Sequence, residues 1–221
     1  MKSPLEQFAT ACWSQARGPV PGLAWSGERA IVVSVASTDH RLVTERLVLR
    51  RWQAEDVGPY AALCSDPEVM RWIGDGSTST TAESRRAIER FEQAWVQNGF
   101  GIFALEEKVS AQLLGFVGLA IPTFLPEILP AVEIGWRVAR HAWGKGFATE
   151  GPRAALAFGF RRHGFETIVS IHQLENLASA RIMQKLSLRL ERETVDPSCN
   201  RPVRVYAISR EEWLRDQASP V

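Results

Sequence analysis

Between Glu133 and Glu150 the chain reads Glu-Ile-Gly-Trp-Arg-Val-Ala-Arg-His-Ala-Trp-Gly-Lys-Gly-Phe-Ala-Thr-Glu, a strand-like run followed by Gly144, Gly146 and Ala148 where a helical pattern begins. Small residues at such a turn let backbone N–H groups approach a phosphate closely, and the first turn of a helix adds partial positive charge there. The chemistry this spacing supports is a diphosphate cradle. A turn that needs glycine for its dihedral angles alone is the competing reading. Two familiar phosphate loops fail on spacing. Gly144-Lys145 is followed by Gly146 where a Walker loop needs Ser or Thr. Thr149 stands where the dinucleotide fingerprint needs a third glycine, and the next strand ends near His172 instead of on an acidic residue.

Other chemistries find little support. Cys12, Cys64 and Cys199 are too few and too scattered for a disulfide framework, and they form no CxxC pair; a reducing, cytoplasmic compartment is expected. His40, His141, His163 and His172 show no HExxH or paired spacing, so no metal is expected. A formal charge of +1, from 26 basic and 25 acidic residues, gives no electrostatic reason to expect nucleic acid or an anionic membrane as partner. No apolar run approaches the roughly 18 residues of a membrane span, and the amino terminus lacks the pattern of a secretory signal.

The elements that must position the glycine turn are legible from residue 44 onward. Residues 46–51 alternate as a half-buried strand, Ala54-Glu-Asp-Val opens a helix through about Cys64, and Asp66-Pro67-Glu68 starts a short one ending near Gly74. Thr80 with Glu83 forms a capping box for a long helix carrying Ala87, Ile88, Phe91 and Trp95, stopped by Asn98-Gly99. Residues 100–106 and 113–120 predict a hairpin, and a Pro-rich connection, 122–130, follows. Then come a strand at 132–138, the glycine turn, a helix over about 149–163 closed by Gly164, and a strand at 167–172, a β-turn-α-β unit with parallel-sheet logic. A helix over about 177–186 and strands near 190–194 and 203–209 complete the pattern. Residues 1–40, broken by Gly18, Pro19, Pro21, Gly22 and Gly27, read as an irregular extension, with a targeting or tethering segment as the functional alternative.

Four segments carry a family resemblance: Thr44-Glu-Arg-Leu-Val-Leu-Arg-Arg51, Glu133-Ile-Gly-Trp-Arg137, Trp143-Gly-Lys-Gly-Phe-Ala-Thr-Glu150 and Asn176-Leu-Ala-Ser-Ala-Arg-Ile-Met-Gln-Lys-Leu186. Through them the chain resembles the GCN5-related N-acetyltransferase (GNAT) superfamily, and within it the RimJ/RimL-like branch of ribosomal-protein-alanine acetyltransferases. The resemblance implies a GNAT domain over residues 44–213, with a tail at 214–221. It implies an α/β (α+β) fold: a mixed, mostly antiparallel twisted sheet of six to seven strands, flanked by helices, with splayed central parallel strands.

By the same resemblance the donor is acetyl-CoA. Its pyrophosphate is expected on the backbone of Trp143, Gly144, Lys145, Gly146, Phe147 and Ala148, with Thr149 in the adjoining turn. Gly146 and Ala148 match the family's Q/R-x-x-G-x-G/A loop; Trp143 replaces its Gln or Arg. Backbone groups of Trp136, Arg137 and Val138 are expected to pair with the pantetheine arm like an added strand. Asn176 and Ser179 match N-x-x-S, the amide binding the cofactor arm and the hydroxyl lying near the thioester sulfur; the alternative is that the two merely cap a helix. Many relatives place a tyrosine where this chain has Met183, and usually a glycine where it has Ser187.

By the same resemblance Glu133 is the expected base, acting directly or through water. An ion pair with Arg137, four residues on and on the same strand face, or plain solvation is its alternative. The implied reaction is direct attack of an amine on the thioester without an acyl-enzyme. The acceptor is a protein amino terminus or a small amine, and the chain is a monomer or homodimer. A module that binds acyl-CoA without turnover is the second class of reading, motivated by Met183 and Ser187. Trp72, Trp95, Phe100, Phe103 and Phe124 are candidates for an acceptor cleft or for plain core, and the 122–130 connection, with Phe124 and Glu127, is the preferred acceptor wall.

Overall fold

A computed structural model describes residues 40–218. The 1–40 extension, apart from His40, and the last three residues lie outside the described residues.

One eight-stranded sheet organises the molecule, in the order β1-β2-β3-β4-β5-β6-β8-β7. Its strands are β1 (Leu42–Val43), β2 (Leu47–Arg50), β3 (Ile102–Glu107), β4 (Leu113–Ala120), β5 (Glu133–Val138), β6 (Thr167–Gln173), β7 (Arg189–Asp196) and β8 (Arg201–Ser209). All neighbours are antiparallel except β5 and β6. The count exceeds the expected six to seven because two-residue β1 is too short to show an alternating pattern and is recognised only by its pairing with β2.

The helices are α1 (Val57–Cys64), α2 (Pro67–Met70), α3 (Thr81–Asn98), α4 (Phe147–Phe158), α5 (Leu177–Lys185) and α6 (Arg210–Ala218). Local sequence accounts for their ends. Thr80 and Glu83 close the expected capping box on α3, and Gly99, at φ 74°, ends it. Asp66 caps α2 through the Glu68 N–H. After Phe158 the chain widens into a π turn, Gly159–His163, before Gly164 turns it toward β6. Residues 214–218, expected as tail, continue α6, which buries Trp213.

Strand alternation sorts the core into two layers. Phe103 and Leu105 of β3, Val117 and Leu119 of β4, and Ile134 and Val138 of β5 face α4 and α5, where they meet Phe147, Leu156 and Met183. Ile102 and Ala104 of β3 and Phe116 of β4 face α1 and α3, against Tyr60, Ile88 and Phe91. With both faces covered, the break between β5 and β6 becomes a passage through the sheet.

Candidate active site

The parallel strands β5 and β6 share a single residue pair, Glu133 with Val169. The Val169 N–H donates to the Val132 carbonyl at 2.9 Å, and the Ser170 hydroxyl to the Ile134 carbonyl at 2.9 Å. Past this apex the pairing ends and a cleft opens, lined by Trp136 and Val138 from β5, His172 and Gln173 from β6, and Asn176 and Ser179 of α5.

The parity of β5 decides which backbone atoms front that cleft. The Ala139 N–H donates to the Leu114 carbonyl at 2.8 Å, and hydrogen-bonded positions alternate along an antiparallel ladder. The backbone polar groups of Arg137 and Gly135 are therefore directed to β4, and those of Ile134, Trp136 and Val138 toward β6. Of the three residues expected along the cofactor arm, Arg137 gives its main chain to the β4 ladder, while Trp136 and Val138 face the gap. The Val138 carbonyl accepts the Trp143 indole N–H at 2.7 Å, so Trp143 braces the glycine loop against the end of β5.

In that loop Gly144 and Gly146 have φ of 74° and 85°, the left-handed region that favours glycine. A Cβ at Gly144 would meet nothing within 4 Å, so the ground above the loop is open. Gly146 is the N-cap of α4, and the N–H groups of the following turn lack intrahelical acceptors. The N–H groups of Thr149 and Glu150 return to the Gly146 carbonyl at 3.0 Å each, so Thr149 closes the turn and leaves anion contact to the amides before it. Open ground, left-handed glycines and a helix start fit a diphosphate at this position. Lys145 is exposed and gives its carbonyl to Arg46 at 2.9 Å, and Phe147 is buried beneath the Arg46 guanidinium.

That anchor escaped the sequence reading. The Glu150 carboxylate accepts the Thr44 hydroxyl at 2.6 Å, the Arg46 N–H at 2.8 Å and the Arg46 Nε at 2.7 Å. Burial alone would raise Glu150; these bonds outweigh it and hold the carboxyl below its ordinary range. Locally the Thr44-Glu-Arg run shows only a motif and the start of a strand, and nothing near it in sequence tells that its partner lies at residue 150.

Glu133 sits at the apex of the cleft, 3% exposed, with Oε2 lacking a hydrogen-bond partner. Burial pushes the carboxyl up to about 8; the Ile171 N–H opposes the shift and the Asp196 charge adds to it. The Arg137 guanidinium is engaged elsewhere, with the Tyr60 hydroxyl at 3.4 Å, Cys64 Sγ at 3.3 Å and the Phe116 ring at 5.2 Å. Asn176 caps α5: its Oδ1 accepts the Ser179 N–H at 3.1 Å, which leaves its NH2 end to donate elsewhere. Met183 is fully buried in the core, so no acid stands at the tyrosine position. Ser187 adopts φ 62°, the conformation glycine would hold more easily.

Trp72 and Phe124 line the cleft, whereas Trp95, Phe100 and Phe103 are core. Glu127 is exposed and lies outside the lining. The wall carrying Trp72 is clasped from behind. Arg201 Nη1 donates to Gln173 Oε1 at 2.9 Å and its Nη2 to the Asp75 carbonyl, while Gln173 Nε2 donates to the Gly74 carbonyl at 2.7 Å. Asp196, buried at the cleft, and His172 were also missed as site residues, because an isolated Asp or His in a strand looks like any other. Among the described residues no group of His, Cys, Asp and Glu could hold a metal ion, and no helix is long and apolar enough to cross a membrane.

A splayed parallel pair beside a glycine turn that starts a helix fits the acyl-CoA transferase fold that the resemblance implies. The chain belongs to the GNAT family: the acetyltransferase (GNAT) domain model matches residues 46–189. The uncharacterised Bacillus subtilis protein YkkB is 30% identical over 168 residues, 75% of this chain and 94% of its own. The Aspergillus fumigatus FsC-acetyl coenzyme A-N(2)-transacetylase is 29% identical over 168 residues, 69% of this chain and 68% of that one. A GNAT-family acetyltransferase structure from Bacillus anthracis superposes with a TM-score of 0.67 at 24% identity, covering 78% of this chain and 99% of the other. The protein is accordingly an acetyltransferase with acetyl-CoA as cosubstrate.

Proposed function

We propose that the protein moves the acetyl group of acetyl-CoA onto a primary amine, preferentially the α-amino group of a protein or peptide, as in the RimJ/RimL-like branch, and that it works in the cytoplasm. The observation that carries this reading is Glu133, a buried carboxyl with an unpartnered oxygen at the apex of the cleft. The diphosphate lies on the loop from Trp143 to Ala148, the pantetheine arm runs along the open side of Trp136 and Val138, and Asn176 donates to that arm. Glu133 takes a proton from the incoming ammonium, the neutral amine attacks the thioester, and Ser179 stands by the sulfur.

Matching of proton affinities selects the acceptor. Glu133, at about 8, meets an α-ammonium of about 7.7 to 8.0 on nearly even terms, whereas a lysine ammonium at about 10.4 would give up its proton at a cost of about 3 kcal/mol. A second reading is a small-molecule amine as acceptor; the A. fumigatus relative is named an N(2)-transacetylase, transfer to nitrogen without mention of an amino terminus.

Calorimetry with acetyl-CoA tests the donor site: wild type is expected to bind in the micromolar range, and Gly146→Glu, whose side chain starts 3.3 Å from the Arg46 guanidinium at a left-handed φ and so distorts the loop, to lose binding. Unaltered binding by the variant would overturn the cradle. Thiol release with peptides bearing a free or blocked amino terminus, against small amines, tests the acceptor. Preference for small amines would replace the first reading by the second, and binding without transfer to any amine would favour a module that lacks turnover.

A further inference from the structure

The tyrosine position is occupied by core residue Met183, so the proton that the departing sulfur needs must come from another group. Strand parity shows which groups share the α5 side of the cleft with Ser179, the residue assigned above to the sulfur. Ile168 packs into the layer shared with α4 and α5, while Val169 belongs to the opposite layer with Leu125 and Val205. His172, four residues from Ile168, lies on the α5 side with Ser170. On that side the cleft is walled by Trp136, Val138, Ala148, Asn176, Ser179 and His172. His172 alone among these titrates near neutrality.

Its state is set by its surroundings. The residue is 4% exposed. Nδ1 lies 2.8 Å from the Gln173 carbonyl, an acceptor, so Nδ1 carries the hydrogen and Nε2 presents a lone pair. Nε2 is buried without a hydrogen-bond partner, in a residue that lines the cleft. Burial lowers the imidazole, the hydrogen bond to the Gln173 carbonyl opposes it, and the charge of Arg204 across the β6–β8 ladder adds a smaller downward push, so the net shift favours the neutral ring. The Tyr206 ring of β8 lies 5.5 Å away and supplies packing. A neutral imidazole is an unusual group to bury with one nitrogen unsatisfied unless something binds there.

We propose that His172 is the proton carrier of acetyl transfer: Nε2 takes the proton shed by the amine nitrogen after it adds to the thioester, and passes it to the departing CoA sulfur. This rests on the acetyltransferase reading above and assigns a second group to it. The C–N bond forms and leaves a positively charged nitrogen. One proton moves from that nitrogen to Nε2, the C–S bond breaks with its electron pair on sulfur, and the same proton moves on to sulfur to give the free thiol. His172 ends as it began, and Glu133 is left with the earlier task of unmasking the amine.

The test compares wild type with His172→Asn and His172→Ala, using acetyl-CoA and whichever amine wild type turns over. Both variants are expected to bind acetyl-CoA within about twofold of wild type by calorimetry and to lose about 10²-fold in kcat, the scale of general acid–base help. Added imidazole is expected to restore part of the His172→Ala rate, which a purely structural role would not allow. Full turnover by both variants, or a loss that appears only in acetyl-CoA affinity, would overturn the role. A nitrogen-15 spectrum of the wild-type imidazole provides a readout independent of turnover and of the variants' folding: the neutral Nδ1–H form is expected at pH 7, and an Nε2–H form or a cation would overturn it. Wild type that transfers to no amine removes the acetyltransferase reading and the carrier with it.

Discussion

Arg46 and Glu150, 104 positions apart, form a two-point ion pair that ties the start of β2 to the first turn of α4, with Nε and Nη2 both on Oε2 at 2.7 and 2.6 Å. The same guanidinium reaches the Lys145 carbonyl and covers the Phe147 ring at 4.8 Å, so one side chain holds three points of the cofactor loop. The Arg46 side chain is 45% exposed, so solvent screens the pair, and its worth in stability is only about 1 kcal/mol. Its larger effect is on loop geometry. Arg46→Ala is expected to weaken acetyl-CoA binding about tenfold by calorimetry while shifting the melting temperature little. Unchanged affinity would show that the loop holds its shape without the clasp.

The buried carboxyl at the cleft apex predicts opposite trends for activity and stability. Its proton affinity is raised on folding from 4.5 to about 8, so between those values the folded state holds a proton that the unfolded chain has released. Stability therefore falls as pH rises across that window, by at most about 1.4 kcal/mol per pH unit. The ionised base gains over the same range. The rate of wild type is expected to climb with an apparent midpoint near 8, and Glu133→Gln to lose that limb with most of the rate. Melting curves at pH 4 and pH 9 should show the glutamine variant comparable to wild type at the lower pH and more stable at the higher. A variant less stable at both would indicate that the carboxylate is structurally paired.

At the start of α5 two roles separate by measurement. Asn176→Ala removes the cap on the Ser179 N–H and is expected to cost about 1 kcal/mol of stability together with acetyl-CoA affinity. Ser179→Ala leaves the cap intact and is expected to lower kcat about tenfold or more with little change in melting. Equal stability losses would reduce the pair to a helix cap.

The loop behind Trp72 should govern the acceptor alone. Arg201→Ala releases the Arg71–Gly76 backbone from β6 and β8 and is expected to raise the acceptor KM several-fold at constant acetyl-CoA affinity. A parallel loss of acetyl-CoA binding would show that the clasp supports both halves of the cleft.

Ser187 holds φ 62°, where a Cβ costs energy and glycine does not, although glycine also loosens the unfolded chain. Ser187→Gly is expected to be stabilising by about 0.5 kcal/mol in thermal or urea unfolding, and activity should be unchanged. Destabilisation would mean that the serine hydroxyl compensates the strain.

Residue type and spacing alone settled the local structure: the capping box at Thr80 and Glu83, the stop at Gly99, the hairpin and the turn-α-β unit at the glycine loop all stand in the structure close to where the sequence put them. These depend on contacts a few residues apart, and so do left-handed glycines and helix starts. The motif segments singled out Glu133, Gly146, Asn176 and Ser179 as candidates, and the structure places Glu133, Asn176 and Ser179 on one cleft and Gly146 at the start of α4. Tertiary structure decided what depends on distant partners. It joined Arg46 to Glu150, set Trp72 and Phe124 on the cleft while sending Trp95, Phe100 and Phe103 to the core, and turned the Arg137 backbone toward β4. It also left one oxygen of Glu133 and one nitrogen of His172 buried and unpaired at one cleft. Whether a buried polar atom finds a partner depends on which strands meet and where they part, and for β5 and β6 that is set by the packing of both sheet faces.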